Sequence, residues 1–329
     1  MENFFPSFSP VCYDRSQDWL LSFTGRIQIF ISDRQDNTMQ LRILQTSTFA
    51  LDNLKKASVL TVHSVYHKAV NLRTGDQMLT LQPRASVLSP VSLITDYTEE
   101  MLADLTFTVG QQLTFHLNTS HTCCQDLFLP LSGSETVQLS LHLFGLDTKI
   151  REAIAMAGSS PLPAHMRGME LILNQPELLE DSLYMRAASQ YLTQFIQILQ
   201  ASEDFYEMAD CLCHLIGLGI GLTPSGDDFL CGFLAGLRLS DGSSVFLPFL
   251  EQHILHTLDR TNEISAAFLR CAVLGQFSAP VHLLTDPDVT ARQIYLAFSS
   301  IGHSSGIDTL CGIYMALTAL TPFVCTNSP

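Results

Sequence analysis

Apolar and polar residues alternate along the first part of this chain and recur at helical spacing along the rest. Residues 25–31 and 39–44 alternate on either side of the turn-rich stretch 32–37, the pattern of a β-hairpin. Residues 58–72, rich in Val and Tyr, predict a second hairpin that turns through Arg73, Thr74, Gly75 and Asp76 into residues 77–82. Further strands are predicted at 87–93, 105–109, 112–117 and 137–143. Short strands at regular spacing with little helix between them imply a sheet or barrel.

The character of the chain changes near Lys149. Ala, Leu, Met and Gln take over, and a 3.6-residue period runs through 181–199 and 203–215, with turn clusters at 158–163, 239–244 and 277–280. The pattern therefore predicts an α+β protein. An N-terminal arm covers 1–18, a β-rich domain 19–148 and a mainly α-helical domain 149–325, with a frayed end after that.

Composition narrows the partners. The 329 residues are only 15% charged, with a net charge of −15, well below the usual quarter of charged residues. Much of the surface of such a chain is buried, which leaves room for a homo-oligomer or partner-subunit interface. Nucleic acid and anionic membranes are excluded as main partners, because both demand clustered Lys and Arg. The nine cysteines lack metal-ligand spacing, so they read as reduced thiols. No basic segment followed by an apolar one opens the chain, and no apolar run reaches spanning length; the expectation is a cytoplasmic protein.

Candidate chemistry concentrates in GLGIGLTPSGDDFLCGFLAGL, which starts at Gly217. Gly217, Gly219 and Gly221 allow backbone conformations closed to other residues. Thr223, Ser225, Asp227 and Asp228 then stand where an apolar helix begins. A helix start carries unpaired N–H groups and partial positive charge, so it suits an anion. The pattern recurs: Ser225, Gly226, Asp228, Leu230, Cys231, Gly232 and Leu237 are repeated as Ser305, Gly306, Asp308, Leu310, Cys311, Gly312 and Leu317, at a constant offset of eighty residues. Gly302, His303 and Ser304 precede the second copy much as Gly221 and Thr223 precede the first. Two such units predict a pseudo-symmetric pair facing one site. The plain alternative is that the serines are only N-caps and the glycines only let helices approach.

Asp228 and Asp308, at equivalent places, are the first candidates for acid–base work, with His303 beside them. Asp227, Asp228 and Asp308 are also the candidates for holding Mg²⁺, a hard cation that prefers oxygen. Gly221, Thr223, Ser225, Gly226, Asp227, Ser304, Ser305 and Gly306 are the candidate substrate contacts. Thr261 and Asn262, in the polar run that opens another helix, join them. His67, Lys68, Asn71 and Arg73 on the second hairpin are candidate sources of positive charge. Dipole-satisfying surface aspartates and a solvated N-cap are the competing readings.

GLGIGLTPSGDDFLCG, DRTNEISAAFLRCAVLGQFS and GHSSGIDTLCGIYMAL together resemble the AllH-like family, as do SSPLPAHM from Ser159 and HSVYHKAVNLRTGDQMLTL from His63. The resemblance covers most of the chain after about residue 58, and Ile220 replaces the proline of the family's GPG step. It implies a subunit of an oxamate carbamoyltransferase of anaerobic allantoin degradation, a branch of purine catabolism. That enzyme phosphorolyses oxalurate to oxamate and carbamoyl phosphate, working with FdrA-like and AllG-like subunits. Two other classes stay open: a Mg²⁺-dependent hydrolase resembling ADP-ribosylglycohydrolases, on the strength of the GDD run, and a noncatalytic subunit.

Overall fold

The computed structural model describes residues 25–32, 38–131, 145–159, 167–176, 179, 182–201, 204–240 and 245–319. The expected arm at 1–18, the strand at 137–143 and most of SSPLPAHM lie outside them. The chain divides into two compact units, Met1–Asp126 and Leu127–Pro329.

The first unit is a closed barrel of seven strands: β1 (Gly25–Ser32), β2 (Thr38–Ser47), β3 (Leu60–Tyr66), β4 (Ala69–Thr74), β5 (Gln77–Gln82), β6 (Ser92–Thr95) and β7 (Gln112–Gln125). The order around it is β1-β2-β6-β5-β4-β3-β7, with β7 returning to β1. Neighbours are antiparallel except β5 with β6 and the end of β2 with that of β7. The β1–β2 hairpin stands where alternation predicts it. Residues 58–72 are not one strand: they fold into β3 and β4 around His67 and Lys68, whose side chains reach Glu99. Strand 105–109 does not form. Leu105 and Phe107 still enter the barrel core, beside Leu60, Leu72, Leu79 and Leu113, so apolar spacing there reports burial without pairing. Two short helices, α1 (Thr48–Lys56) and α2 (Glu99–Ala103), were not predicted; each is capped by a hydroxyl, from Ser47 and Thr98.

The second unit is helical. Its helices are α3 (Leu146–Gly158), α4 (Glu170–Asn174), α5 (Leu183–Ala201), α6 (Phe205–Cys213), α7 (Ser225–Leu239), α8 (Leu247–His256), α9 (Glu263–Val273), α10 (Ala279–Leu283), α11 (Ala291–Ser299) and α12 (Ser305–Ala319). α7 is buried on every side, Cys231 alone being half-buried. Such a helix belongs at the centre of a core. It lies directly against α12, and the contact is made by the repeat. A Cβ on Gly232 would collide with the carbonyl oxygen of Thr309, and one on Gly312 with that of Phe229. Phe229 and Thr309 are themselves eighty residues apart, so the two helices touch through equivalent points about a local twofold. This close crossing fixes the distance between the two helix starts.

Candidate functional site

Both motifs begin their helices in the same way. Ser225 and Ser305 are the first helical residues; the residue before Ser225 is Pro224, whose side chain cannot cap. The serines are therefore not N-caps, and their hydroxyls are left for other partners. Gly226 N–H donates to Leu218 and Gly306 N–H to Ile301, while Asp228 N–H donates to Pro224 and Asp308 N–H to Ser304. Many of the first-turn donors thus bond within the motifs. Gly217, Gly219 and Gly221 all have positive φ (79°, 137° and 99°), which brings the loop back over the start of α7.

The two starts interlock. Thr223 Oγ1 and Ser305 Oγ lie 3.0 Å apart across the crossing. The hydroxyls of Ser305 and Thr223 favour the charged form of the Asp228 carboxyl, and those of Ser225 and Ser304 that of the Asp308 carboxyl. Each carboxyl is thus influenced by a hydroxyl of the opposite helix. Asp308 also accepts from Met169 N–H, and a Cβ on Gly168 would strike its carboxylate, so the stretch before α4 is moulded to it.

Both carboxyls are deeply buried, with Asp308 at 0% and Asp228 at 9% exposure. Among the described residues, Oδ2 of each has no hydrogen-bond partner. Burial pushes Asp308 up to about 7, assisted by the charge of Glu170 and opposed by Met169 N–H. Burial pushes Asp228 well above the ordinary carboxyl range, and Asp308 beside it adds to the rise. Two like charges this close and this dry are not both tolerated near neutrality. Burial and mutual repulsion thus both favour a proton on the pair.

Asp227 faces elsewhere. Its Oδ1 accepts from Gly217 N–H (2.8 Å), and its Oδ2 from the hydroxyls of Thr261 (2.5 Å) and Ser265 (2.7 Å). Burial raises its pKa against the pull of those three bonds. Its carboxylate joins the glycine loop and the start of α9 to α7. Asn262 completes this brace by capping α9 through Ile264 N–H and Ser265 N–H and donating to the Leu222 carbonyl. Gly221, Gly302 and His303 are exposed, while Thr223, Ser304 and Ser305, which neighbour the carboxyl pair, are partly buried. In the barrel unit, Asn71 is buried and bonds Ser64 and Thr80. Among the described residues no group of three or more His, Cys, Asp or Glu is arranged to hold a metal ion.

Sequence reasoning missed Arg167 and Glu170. Arg167 Nε donates to Glu170 (3.0 Å) and Nη1 to Gln175 (2.6 Å), with both charged side chains almost fully buried. Gly168 N–H also donates to Glu170. Among the described residues, Arg167 Nη2 has no partner. A cation and an anion three positions apart inside an apolar stretch were the available signal.

A family model described as the oxamate carbamoyltransferase subunit AllH matches residues 215–317. A second, for the AllH family N-terminal domain, matches residues 39–136. The chain belongs to the AllH family. The AllH match takes in both helix starts and the α9 brace, while the N-terminal match takes in β2 to β7 and begins earlier than the likeness legible in the motifs. Arg167 and Glu170 fall between the two matches. No solved structure matches the chain. No helix among the described residues is long and apolar enough to cross a membrane.

Proposed function

We propose that this chain is the subunit of an oxalurate-phosphorolysing carbamoyltransferase that holds the carbamoyl-type ligand, at the crossing of α7 and α12. The observation that carries the reading is the buried Asp228–Asp308 pair, with crosswise serine hydroxyls and an unpaired oxygen on each carboxyl. Phosphorolysis breaks the bond from the carbamoyl carbon to the oxamate nitrogen and forms one from that carbon to phosphate oxygen. The departing nitrogen needs a proton. Asp308, pushed up to about 7 beside a second carboxyl that is also raised, is suited to hold and deliver it. The anionic end of the ligand faces the rim, where the positive ends of two helix dipoles, the serine hydroxyls and His303 meet. Asp227, Thr261 and Asn262 contribute by holding the glycine loop in place. The working enzyme is a cytoplasmic complex with FdrA-like and AllG-like subunits.

The hydrolase reading asks Asp227, Asp228 and Asp308 to hold Mg²⁺, and it loses support because the Asp227 carboxylate already receives three hydrogen bonds. The test is to coexpress the chain with FdrA-like and AllG-like subunits and to follow carbamoyl phosphate formed from oxalurate and phosphate. Asp308→Asn and Asp228→Asn should each lower kcat on the order of 10²-fold or more. Complexes that assemble and turn over normally with both substitutions would place the chemistry elsewhere.

A further inference from the structure

The unpaired oxygens say which end of the ligand sits deepest. Asp228 Oδ2 and Asp308 Oδ2 are buried acceptors without donors among the described residues. They belong to carboxyls related by the local twofold; Asp308 accepts from Met169 N–H on its other oxygen, and neighbouring hydroxyls favour the charged form of both. A buried acceptor left unmade is costly, on the order of 1–3 kcal/mol, so such atoms mark where a donor is missing. Two such acceptors on neighbouring helices can both be met by one group with two N–H bonds. A carboxyl that keeps its proton still has a lone pair to accept with, so the pair remains a double acceptor after sharing a proton.

We propose that the Asp228–Asp308 pair is the seat of the ligand's terminal –NH₂ group, a primary amide or ureido nitrogen whose two hydrogens bond the two Oδ2 atoms. This rests on the reading above and specifies it. Oxalurate, carbamoyl phosphate and oxamate share one feature besides their negative charge, an –NH₂ on a carbonyl carbon. A site that grips the terminal –NH₂ recognises oxalurate and the carbamoyl phosphate formed from it by the same contact. It discriminates against ligands that present methyl or oxygen there, since these leave both acceptors unmet. The loss of a hydrogen-bonded group from a site built for it is heavily penalised.

The probe is a matched pair, carbamoyl phosphate and acetyl phosphate, which differ only in NH₂ against CH₃. Titrated by thermal shift on the full chain, carbamoyl phosphate should bind at least tenfold more tightly. That preference should vanish in Asp228→Asn and in Asp308→Asn, where the new amide presents donors to a donor. Inorganic phosphate and Mg²⁺ are run alone and together as controls. Equal binding of both acyl phosphates by the wild type would overturn the –NH₂ seat while leaving the anion end of the reading intact. A shift with Mg²⁺ alone that both variants lose would overturn it in favour of a cation between the carboxyls. Failure of the wild type to respond to any of the four would overturn both readings for this chain. The wild-type comparison stands even if a variant folds poorly.

Discussion

Asp308 has an ordinary pKa near 3.8 when unfolded and about 7 when folded. Its protonated form is the one the fold prefers, so its contribution to stability is complete below the unfolded value and is lost as pH rises through about 7. Wild type should therefore lose stability between pH 5 and pH 8 relative to Asp308→Asn, by on the order of 2–4 kcal/mol. Urea midpoints of both proteins at the two pH values give that difference, and parallel curves would refute it. Arg167 makes the opposite case. Removing it as Arg167→Met leaves the buried Glu170 carboxylate without its cation, which should cost about 3–5 kcal/mol. The double variant Arg167→Met, Glu170→Gln should recover much of this; a double variant as unstable as the single one would show that the charge was not the cause. The carboxyl pair was legible in the sequence because it is written twice. The division of labour between Asp227 and Asp228 was not, because adjacent residues on a helix point about 100° apart and only the fold says which of them meets Thr261.

The helix crossing turns a repeat in sequence into a site. Gly232 and Gly312 each leave room for a carbonyl oxygen of the other helix. Gly232→Ala or Gly312→Ala must push α7 and α12 apart, at about 1–3 kcal/mol each by overpacking, and the same displacement separates Asp228 from Asp308. Both variants should lose stability in urea and lose their preference for carbamoyl over acetyl phosphate; retention of that preference would mean that the crossing does not set the site. The serines show how local rules can mislead. SGDD reads as a capping sequence, but the helix begins at Ser225 itself and frees its hydroxyl for the opposite helix. In the barrel, alternation identified β1, β2 and β5, whereas it ran through the turn at His67 and Lys68, since the flanking strands share one hydrophobic rhythm. α1 and α2 are too short for their period to rise above that of the neighbouring strands.

At the scale of the molecule, each unit has its own apolar core, and every residue assigned to the site belongs to the helical one. A cavity in the barrel such as Leu79→Ala, at a fully buried position, should destabilise by about 2–5 kcal/mol. The thermal shift with carbamoyl phosphate should persist in that variant. Its disappearance in a protein that is still folded would assign the barrel a part in binding. The α+β composition and the change from strand to helix were legible because periods of 2 and 3.6 differ so plainly. The barrel's closure was not, since it depends on β7 pairing antiparallel with β1 and β3, strands distant from it in sequence.

The local twofold has one more consequence. A cradle with two equivalent halves offers any bound molecule two orientations, and only one of them can lead to product when the molecule's ends differ. The copies depart from identity where this matters: Thr223 stands on one side and His303 at the matching place on the other. If the ligand sits there, the symmetry would give the grip, and the mismatched residues at its mouth, Pro224 against Ser304 as well as Thr223 against His303, would select the direction in which it lies.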